Sequence, residues 1–160
     1  MSWMTVDSDP VVEALHAVGL TAQFKTFPAG TATAEQAAKA VGCQLGQIVK
    51  SLVFMADGDV VLTLVSGANR VDEKRLAKLL DGVPVRKATA QEVKDLTGFS
   101  IGVVPPLGHR IPVLVFIDRD LMDYPVLWSA SGIPDRVFPL APVMLSAAAG
   151  ANIVDIKKVN

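Results

Sequence analysis

Two apolar runs in the first half of the chain predict a β-hairpin. Residues 48–55 and 59–65 are almost entirely hydrophobic, and the dipeptide Asp57-Gly58 between them is typical of a tight turn. Neither run alternates strictly between apolar and polar positions, so we expect the sheet to be covered on both faces. Lys50 is the charged residue that interrupts the first run.

Capping residues and stop glycines predict helices on either side of this hairpin. Asp9 precedes Pro10 at the start of the first helix, and the pairs Thr33 with Gln36 and Thr89 with Glu92 match capping boxes. The predicted helices cover residues 10–18, 33–41, 72–80, 89–97 and 143–149. The shorter extended segments are predicted at 23–27, 83–85, 113–117, 126–129 and 137–140. The pattern favours one α/β domain, residues 1–160, with a mixed, hairpin-rich sheet.

Composition narrows the class of protein. The 160 residues are 51% apolar and carry a formal net charge of -1, with a pI near 6.1. A protein that coats nucleic acid is normally basic, so we expect any nucleic-acid contact to be local and predict no DNA binding. The absence of a leader-like start or a bilayer-length apolar stretch predicts a soluble, cytoplasmic protein with no membrane partner.

Lys50 is the most informative candidate for chemistry. Desolvating an ammonium group costs roughly several kcal/mol. A lysine in an apolar strand therefore needs an anion or must lose its proton. A phosphate or carboxylate ligand in a cleft would supply that anion. The equally good alternative is an edge strand whose lysine reaches into water.

A second candidate is the segment 102–109, in which Gly102 and Gly108 enclose two prolines. Such a loop has a fixed shape, and glycine lets a ligand approach the backbone, whose N–H groups could hold a polarised carbonyl oxygen. An ordinary rigid turn explains the same pattern. His109 beside it either hydrogen-bonds a substrate or, as the favoured alternative, is a loop residue at the surface. The pairs Ser66-Gly67 and Ser131-Gly132 end or follow predicted strands and are either ligand contacts or simple turns.

Other chemistries receive little support. Cys43, the single cysteine, has no evident histidine or cationic partner, and no Gly-x-Ser-x-Gly or Walker motif is present. Asp118, Asp120 and Asp123 follow a predicted strand and are interpreted as a solvated turn rather than a magnesium site. We therefore predict no metal and no cofactor, and a reaction that depends on neither metal nor Cys43.

The ordered set of segments resembles the YbaK/prolyl-tRNA synthetase-associated domain family. The matching segments are the lysine strand 48–53, Ser66-Gly67, the pattern Val71-Asp72-x-Lys74-x-Leu76, Gly-x-x-x-Pro at 102–106 extended to 108–109, and Trp128-x-x-x-Gly132. The resemblance covers nearly the whole chain. It implies a curved, mixed, partly barrel-like sheet flanked by helices, and the hydrolysis of the ester between a wrong amino acid and the 3′ end of tRNA.

The resemblance also implies roles for individual residues. Lys50 would contact the phosphate near the terminal adenosine, and the backbone at Gly102 would orient the ester carbonyl or the attacking water. Catalysis is thus assigned to Lys50 and Gly102, without a protein nucleophile. Candidate substrate contacts are Ser51, Ser66, Gly67, Pro106, Gly108, His109, Ser131 and Gly132. The expected partners are the 3′ end of aminoacyl-tRNA and a synthetase such as prolyl-tRNA synthetase.

Two positions depart from the family pattern. Val103 stands where some relatives have a second glycine, and Ile133 stands where one subset has histidine. Both differences bear on which amino acid is removed. The alternatives are a catalytically silent module that binds a tRNA end or a synthetase, and a hydrolase that acts on another small acyl ester.

Overall fold

The computed structural model describes residues 9–28 and 33–159, which form a mixed sheet with helices packed around it. The helices are α1 (Pro10–Ala17), α2 (Ala34–Val41), α3 (Glu73–Leu79), α4 (Ala90–Thr97) and α5 (Pro142–Ala149). The strands are β1 (Lys25–Thr26), β2 (Ile48–Ala56), β3 (Asp59–Ser66), β4 (Val85–Lys87), β5 (Leu114–Asp118), β6 (Leu127–Ala130), β7 (Arg136–Leu140) and β8 (Asn152–Val154). Short 3-10 helices, Leu45–Gln47 and Arg119–Asp123, precede β2 and follow β5.

The strand order across the sheet is β1-β7-β6-β2-β3-β5-β8, and β4 pairs with β2 beside this path. The β2–β3 hairpin is antiparallel, whereas β2 pairs in parallel with β6 and β3 in parallel with β5. The predicted mixed α/β fold is confirmed. The hairpin strands lie inside the sheet, so Lys50 is not on an edge strand.

The hairpin is covered on both of its faces, as its uniform apolar character predicts. Alternate residues of β3 enter two different cores: Leu62 and Leu64 pack in one, and Val61 and Val65 in the other. All four side chains are essentially inaccessible to solvent. Because successive residues of a strand point to opposite faces, this double burial requires an apolar layer on each side of the sheet.

The predicted helix starts are confirmed. Asp9 accepts hydrogen bonds from the N–H groups of Val11 and Val12, and both capping boxes are present. The side chain of Glu92 also accepts hydrogen bonds from Arg86 at 2.7 Å, which holds the pKa of Glu92 at about 2. These caps depend on residues within four positions of each other, which is why the sequence alone reveals them.

Three predictions from the sequence need correction. The strand expected at 83–85 is shifted to β4, because its pairing with β2 runs from Val85 to Lys87. The strand β8 was not expected, and it exists through its parallel pairing with β5. Asp118 does not lie on a solvated turn: it is fully buried at the end of β5.

Candidate active site

A cavity of about 420 Å³ opens beside the middle of β2. Its size is in the usual range for a small-molecule site. The lining residues come from α2, β2, the segment 87–104, β6 and β7, and most of them are apolar. Among the predicted site residues, Lys50, Ser51 and Gly102 line this cavity. The structure therefore brings both predicted catalytic residues to one place.

The cavity exists because one edge of β2 is locally unpaired. On that edge, the parallel ladder to β6 ends at Val49, and the ladder to β4 begins at Phe54. Val53 accepts a hydrogen bond from the N–H of Ala88 on the same side. Since backbone groups alternate in direction along a strand, Ser51 also directs its N–H and C=O to this open edge.

The hydroxyl of Ser51 is an unsatisfied polar group. Its oxygen is buried and has no hydrogen-bond partner among the described residues. Because this oxygen has almost no accessible surface, Ser51 offers a ligand its backbone groups at the open edge and not its hydroxyl. The role of Ser51 in substrate binding remains a prediction.

Lys50 is a half-buried cation in the wall of the cavity. Its Nζ donates a hydrogen bond to the backbone carbonyl of Asn69. Within residues 9–28 and 33–159, no carboxylate lies within ion-pair distance of its ammonium group. Burial lowers the pKa of Lys50; Glu35 opposes this shift, and Arg70 and Lys87 reinforce it. The ammonium group is thus available to an anion that enters the cavity.

Gly102 lies in a turn at another wall of the cavity. Its φ is +90°, and the N–H of Val103 donates to the carbonyl of Ser100 at 3.1 Å. This is the pattern of a turn that requires a positive φ at its third residue, hence glycine. No hydrogen bond within the described part of the chain uses the N–H of Ile101 or of Gly102. Two backbone donors therefore remain available at the cavity.

Ser66 and Gly67 are not part of the cavity lining. The hydroxyl of Ser66 donates to the carbonyl of Gly46 at 2.8 Å, and the N–H of Gly67 donates to the carbonyl of Ile48 at 2.7 Å. A Cβ on Gly67 would lie 2.6 Å from the carbonyl oxygen of Leu45. In this structure the pair fastens the start of β2, and a substrate contact by either residue remains a prediction.

Pro106, Gly108 and His109 also lie outside the cavity lining. A Cβ on Gly108 would be 2.9 Å from the carbonyl oxygen of Pro10, so this loop packs tightly on the start of α1. His109 is not a surface residue: its Nε2 is 2.8 Å from the carbonyl of Pro105, and its buried Nδ1 has no partner among the described residues. Burial lowers the pKa of His109, which favours the neutral ring.

Gly132 contacts the Gly102 turn, whereas Ser131 contacts Arg136. The N–H of Gly132 donates to the carbonyl of Val103 at 2.9 Å, and a Cβ at this position would lie 2.8 Å from the ring of Phe99. The buried hydroxyl of Ser131 accepts a hydrogen bond from Nε of Arg136 at 2.7 Å. Their predicted contact with substrate is untested, and their visible contacts are within the protein.

Sequence reasoning missed much of the cavity wall. Ala34 and Ala37 of α2 and Ala130 of β6 provide space through their small side chains. Trp128 lines the cavity beneath Nζ of Lys25, which is 5.2 Å from the ring centroid. The alanine-rich sequence of α2 is the one local signal for this part of the lining. The position of a helix over a sheet depends on tertiary packing, so the sequence alone does not predict it.

Two further features are absent from residues 9–28 and 33–159. No three His, Cys, Asp or Glu side chains are placed there to share a metal ion. No helix in the same part of the chain is both long and apolar enough to cross a bilayer.

Comparison with known proteins agrees with this geometry. A solved structure provisionally described as a trans-editing enzyme for prolyl tRNA synthetase superposes with a TM-score of 0.89 at 45% identity, covering 94% of this chain and 96% of that chain. The uncharacterized protein YwhH of Bacillus subtilis (strain 168) is 34% identical over 121 residues, which are 75% of this chain and 76% of YwhH.

A more distant relative carries the same region inside a larger enzyme. The proline–tRNA ligase of Maridesulfovibrio salexigens is 31% identical over 93 residues, which are 58% of this chain and 16% of the ligase. The family model of the aminoacyl-tRNA editing domain matches residues 28–147. This match spans most of the chain and includes every residue that lines the cavity. The chain therefore belongs to the aminoacyl-tRNA editing domain family.

Proposed function

We propose that this chain is a deacylase that hydrolyses the ester between a wrong amino acid and the 3′ end of a tRNA. The proposed substrate is tRNA-Pro, or another tRNA, that carries a small wrong amino acid, and the chain acts in trans. Residues 1–160 are proposed to work as a single editing domain in the cytoplasm. A synthetase such as prolyl-tRNA synthetase is the proposed source of the mischarged tRNA.

One observation carries this proposal: an unpaired cation and unpaired backbone donors line the same apolar cavity. Lys50 has no carboxylate partner, and the N–H groups of Ile101 and Gly102 have no acceptor within the described chain. A mischarged tRNA end offers a phosphate for the cation and an ester carbonyl for the donors. Apolar walls suit a small side chain and exclude bulk water.

The chemistry follows from these contacts. A water molecule attacks the ester carbonyl, and negative charge develops on the carbonyl oxygen. The bond from the carbonyl carbon to the ribose oxygen then breaks, and this oxygen takes the proton that the water loses and leaves as a hydroxyl. Preorganised N–H groups stabilise such an oxyanion more than they stabilise the ground state. Lys50 holds the phosphate, so the ester is positioned against the Gly102 turn. No side-chain nucleophile is needed in this scheme.

A deacylation screen across tRNAs charged with small amino acids tests the proposal. The amino acid would be labelled and its release followed with purified protein, with and without prolyl-tRNA synthetase. Turnover of a mischarged tRNA supports the proposal. Binding of tRNA without turnover would instead establish a silent binding module, and activity confined to small acyl esters would establish a different hydrolase.

Deacylation should decline at alkaline pH as Lys50 loses its proton. Burial lowers the pKa of Lys50, so the alkaline limb of kcat/KM should have its midpoint below the ordinary lysine value of 10.5. The positive charge of Lys87 contributes to the shift, so Lys87→Gln should move this limb to higher pH. Rates must be corrected for spontaneous ester hydrolysis. A limb that Lys87→Gln leaves unmoved would contradict this assignment.

Cys43 and metal ions should be dispensable. Burial raises the pKa of the Cys43 thiol, whose Sγ lies 3.3 Å from the carbonyl oxygen of Gln44. A protonated thiol is a poor nucleophile. Cys43→Ser and chelator treatment should each leave the single-turnover rate within about three-fold of the parent, because neither touches the proposed transition state. A collapse of the rate under either treatment would contradict the mechanism.

A further inference from the structure

A chain of polar contacts leads from the C-terminal segment to Lys50. The carbonyl of Asn69 accepts the hydrogen bond of Nζ of Lys50. The side-chain amide of Asn69 in turn donates to Oδ2 of Asp118 and to Oδ2 of Asp120, both at 2.9 Å. Lys157 pairs with the same oxygen of Asp120 at 3.0 Å. Asn69 therefore links the cavity cation to a network beyond the end of β5, on the same face of the sheet as Lys50.

The loop that carries Asn69 is also fastened through its backbone. The N–H of Asn69 donates to the carbonyl of Ser66 at 2.9 Å. Further along, the carbonyl of Arg70 accepts from the N–H of Lys158 at 2.7 Å. Asp72 donates its N–H to Ile156 at the same distance. None of these three bonds involves the peptide group between Asn69 and Arg70, so the orientation of the Asn69 carbonyl also depends on the asparagine side chain.

The network demands an uncharged side chain with two donors at position 69. Asp118 is fully buried, and burial raises its pKa, whereas hydrogen bonds from Asn69 and Lys157 lower the pKa of Asp120. An asparagine amide supplies two N–H groups and can satisfy one oxygen of each acid at once. An aspartate there would add a third negative charge, and alanine would leave a buried carboxylate unpaired.

We propose that Asn69 is the positioning residue for Lys50, and this rests on the proposed function. The amide of Asn69, held between two aspartates, fixes the carbonyl that aims the ammonium group at the phosphate of the substrate. Asn69 does not line the cavity, so it acts on the substrate through Lys50. In this arrangement the two aspartates orient the ammonium group of Lys50 through Asn69, and neither of them forms an ion pair with it.

A double-mutant cycle tests this coupling. Asn69→Ala should lower kcat/KM for deacylation by about ten-fold, since partners in one network couple at this scale. In the Lys50→Ala background the same change should have less than about a two-fold further effect. Asn152→Ala, which alters an exposed asparagine of β8, is the matched control and should keep the parental rate. Independent, multiplicative losses at positions 69 and 50 would overturn the proposal.

A second variant guards against a folding defect. Asp120→Ala removes one anchor of Asn69 at a partly exposed site and should give a smaller loss that also disappears in the Lys50→Ala background. Circular dichroism and the thermal midpoint of each variant establish that the fold is kept. A folded Asp120→Ala protein whose loss persists without Lys50 would count against the coupling.

A readout independent of turnover separates this proposal from the proposed function. Titration of the Lys50 side chain by carbon-detected NMR reports its pKa in the free protein. A carbonyl acceptor favours the charged ammonium. Asn69→Ala keeps this backbone carbonyl but frees it from the two aspartates, so the hydrogen bond should weaken and the pKa of Lys50 should fall further. If the parent protein deacylates no tRNA, the proposed function fails while this measurement still stands. An unchanged Lys50 pKa in a folded Asn69→Ala protein would overturn the positioning role.

Discussion

Replacing Lys50 by alanine should lower the deacylation rate by at least about ten- to a hundred-fold. A hydrogen bond to a charged group is worth about 1.5–3 kcal/mol, and each 1.36 kcal/mol is a factor of about ten in rate. Lys50 and Lys87 both line the cavity, and Lys50 is the one whose ammonium lies against a neutral carbonyl, so the proposed phosphate contact is assigned to it. The measurement is single-turnover release of the amino acid from a mischarged tRNA.

Stability and a matched lysine make this result interpretable. Lys78→Ala changes an exposed lysine of α3 that lies outside the family motifs and does not line the cavity, so its rate should equal the parental rate. Lys50→Ala should leave the thermal midpoint unchanged or raise it, because the desolvation of an ammonium group is relieved. Parental activity in a folded Lys50→Ala protein would remove Lys50 from the active site.

Replacing Gly102 by valine should abolish hydrolysis. Removing one oxyanion donor typically lowers the rate about a hundred- to a thousand-fold, and we expect a larger loss here. The φ of +90° at this turn is strained for any residue with a Cβ and most strained for a β-branched one. The added side chain would also occupy the open space beside the cavity, where the ester is expected to lie against the backbone. The smaller Gly102→Ala change is expected to leave a trace of activity.

The chain provides a close control for the strain itself. Gly82 has a φ of +82°, a Cβ there also meets nothing within 4 Å, and the residue does not line the cavity. Gly82→Val and Gly102→Val should therefore lose comparable stability, while only the latter loses deacylation. Thermal unfolding and single-turnover rates would be measured on both. If Gly102→Val folds and deacylates at the parental rate, the ester does not lie against this turn.

Gly132 helps to explain why the Gly102 turn holds its shape. Its support comes from Gly132, whose N–H is bonded to the carbonyl of Val103 and whose missing Cβ leaves room for Phe99. A side chain at 132 would press on that ring and displace the turn. The Trp128-x-x-x-Gly132 segment therefore contributes to the site in two ways. Trp128 lines the cavity, and Gly132 stabilises the turn that carries the backbone donors.

Features that depend on neighbours along the chain were predictable from the amino-acid order. Helix starts at Asp9, Thr33 and Thr89 were predictable because a cap joins a side chain to an N–H group two or three residues away. The hairpin was predictable because two uniformly apolar runs flank Asp57-Gly58. Lys50 was conspicuous because a charge inside an apolar strand requires an explanation.

Which of these residues meet depends on the folded sheet and could not be predicted locally. Lys50 and Gly102 are 52 positions apart in the sequence, and they share a cavity only because β2 loses its partner between β6 and β4. Strand β8 is too short to be recognised locally and is stabilised by pairing with β5. The sequence predicts that Asp118, at the end of β5, lies on a solvated turn. In the structure it is buried and hydrogen-bonded to Asn69, 49 residues away. Long-range pairing and burial depend on the packing of the whole sheet, so no local pattern can encode them.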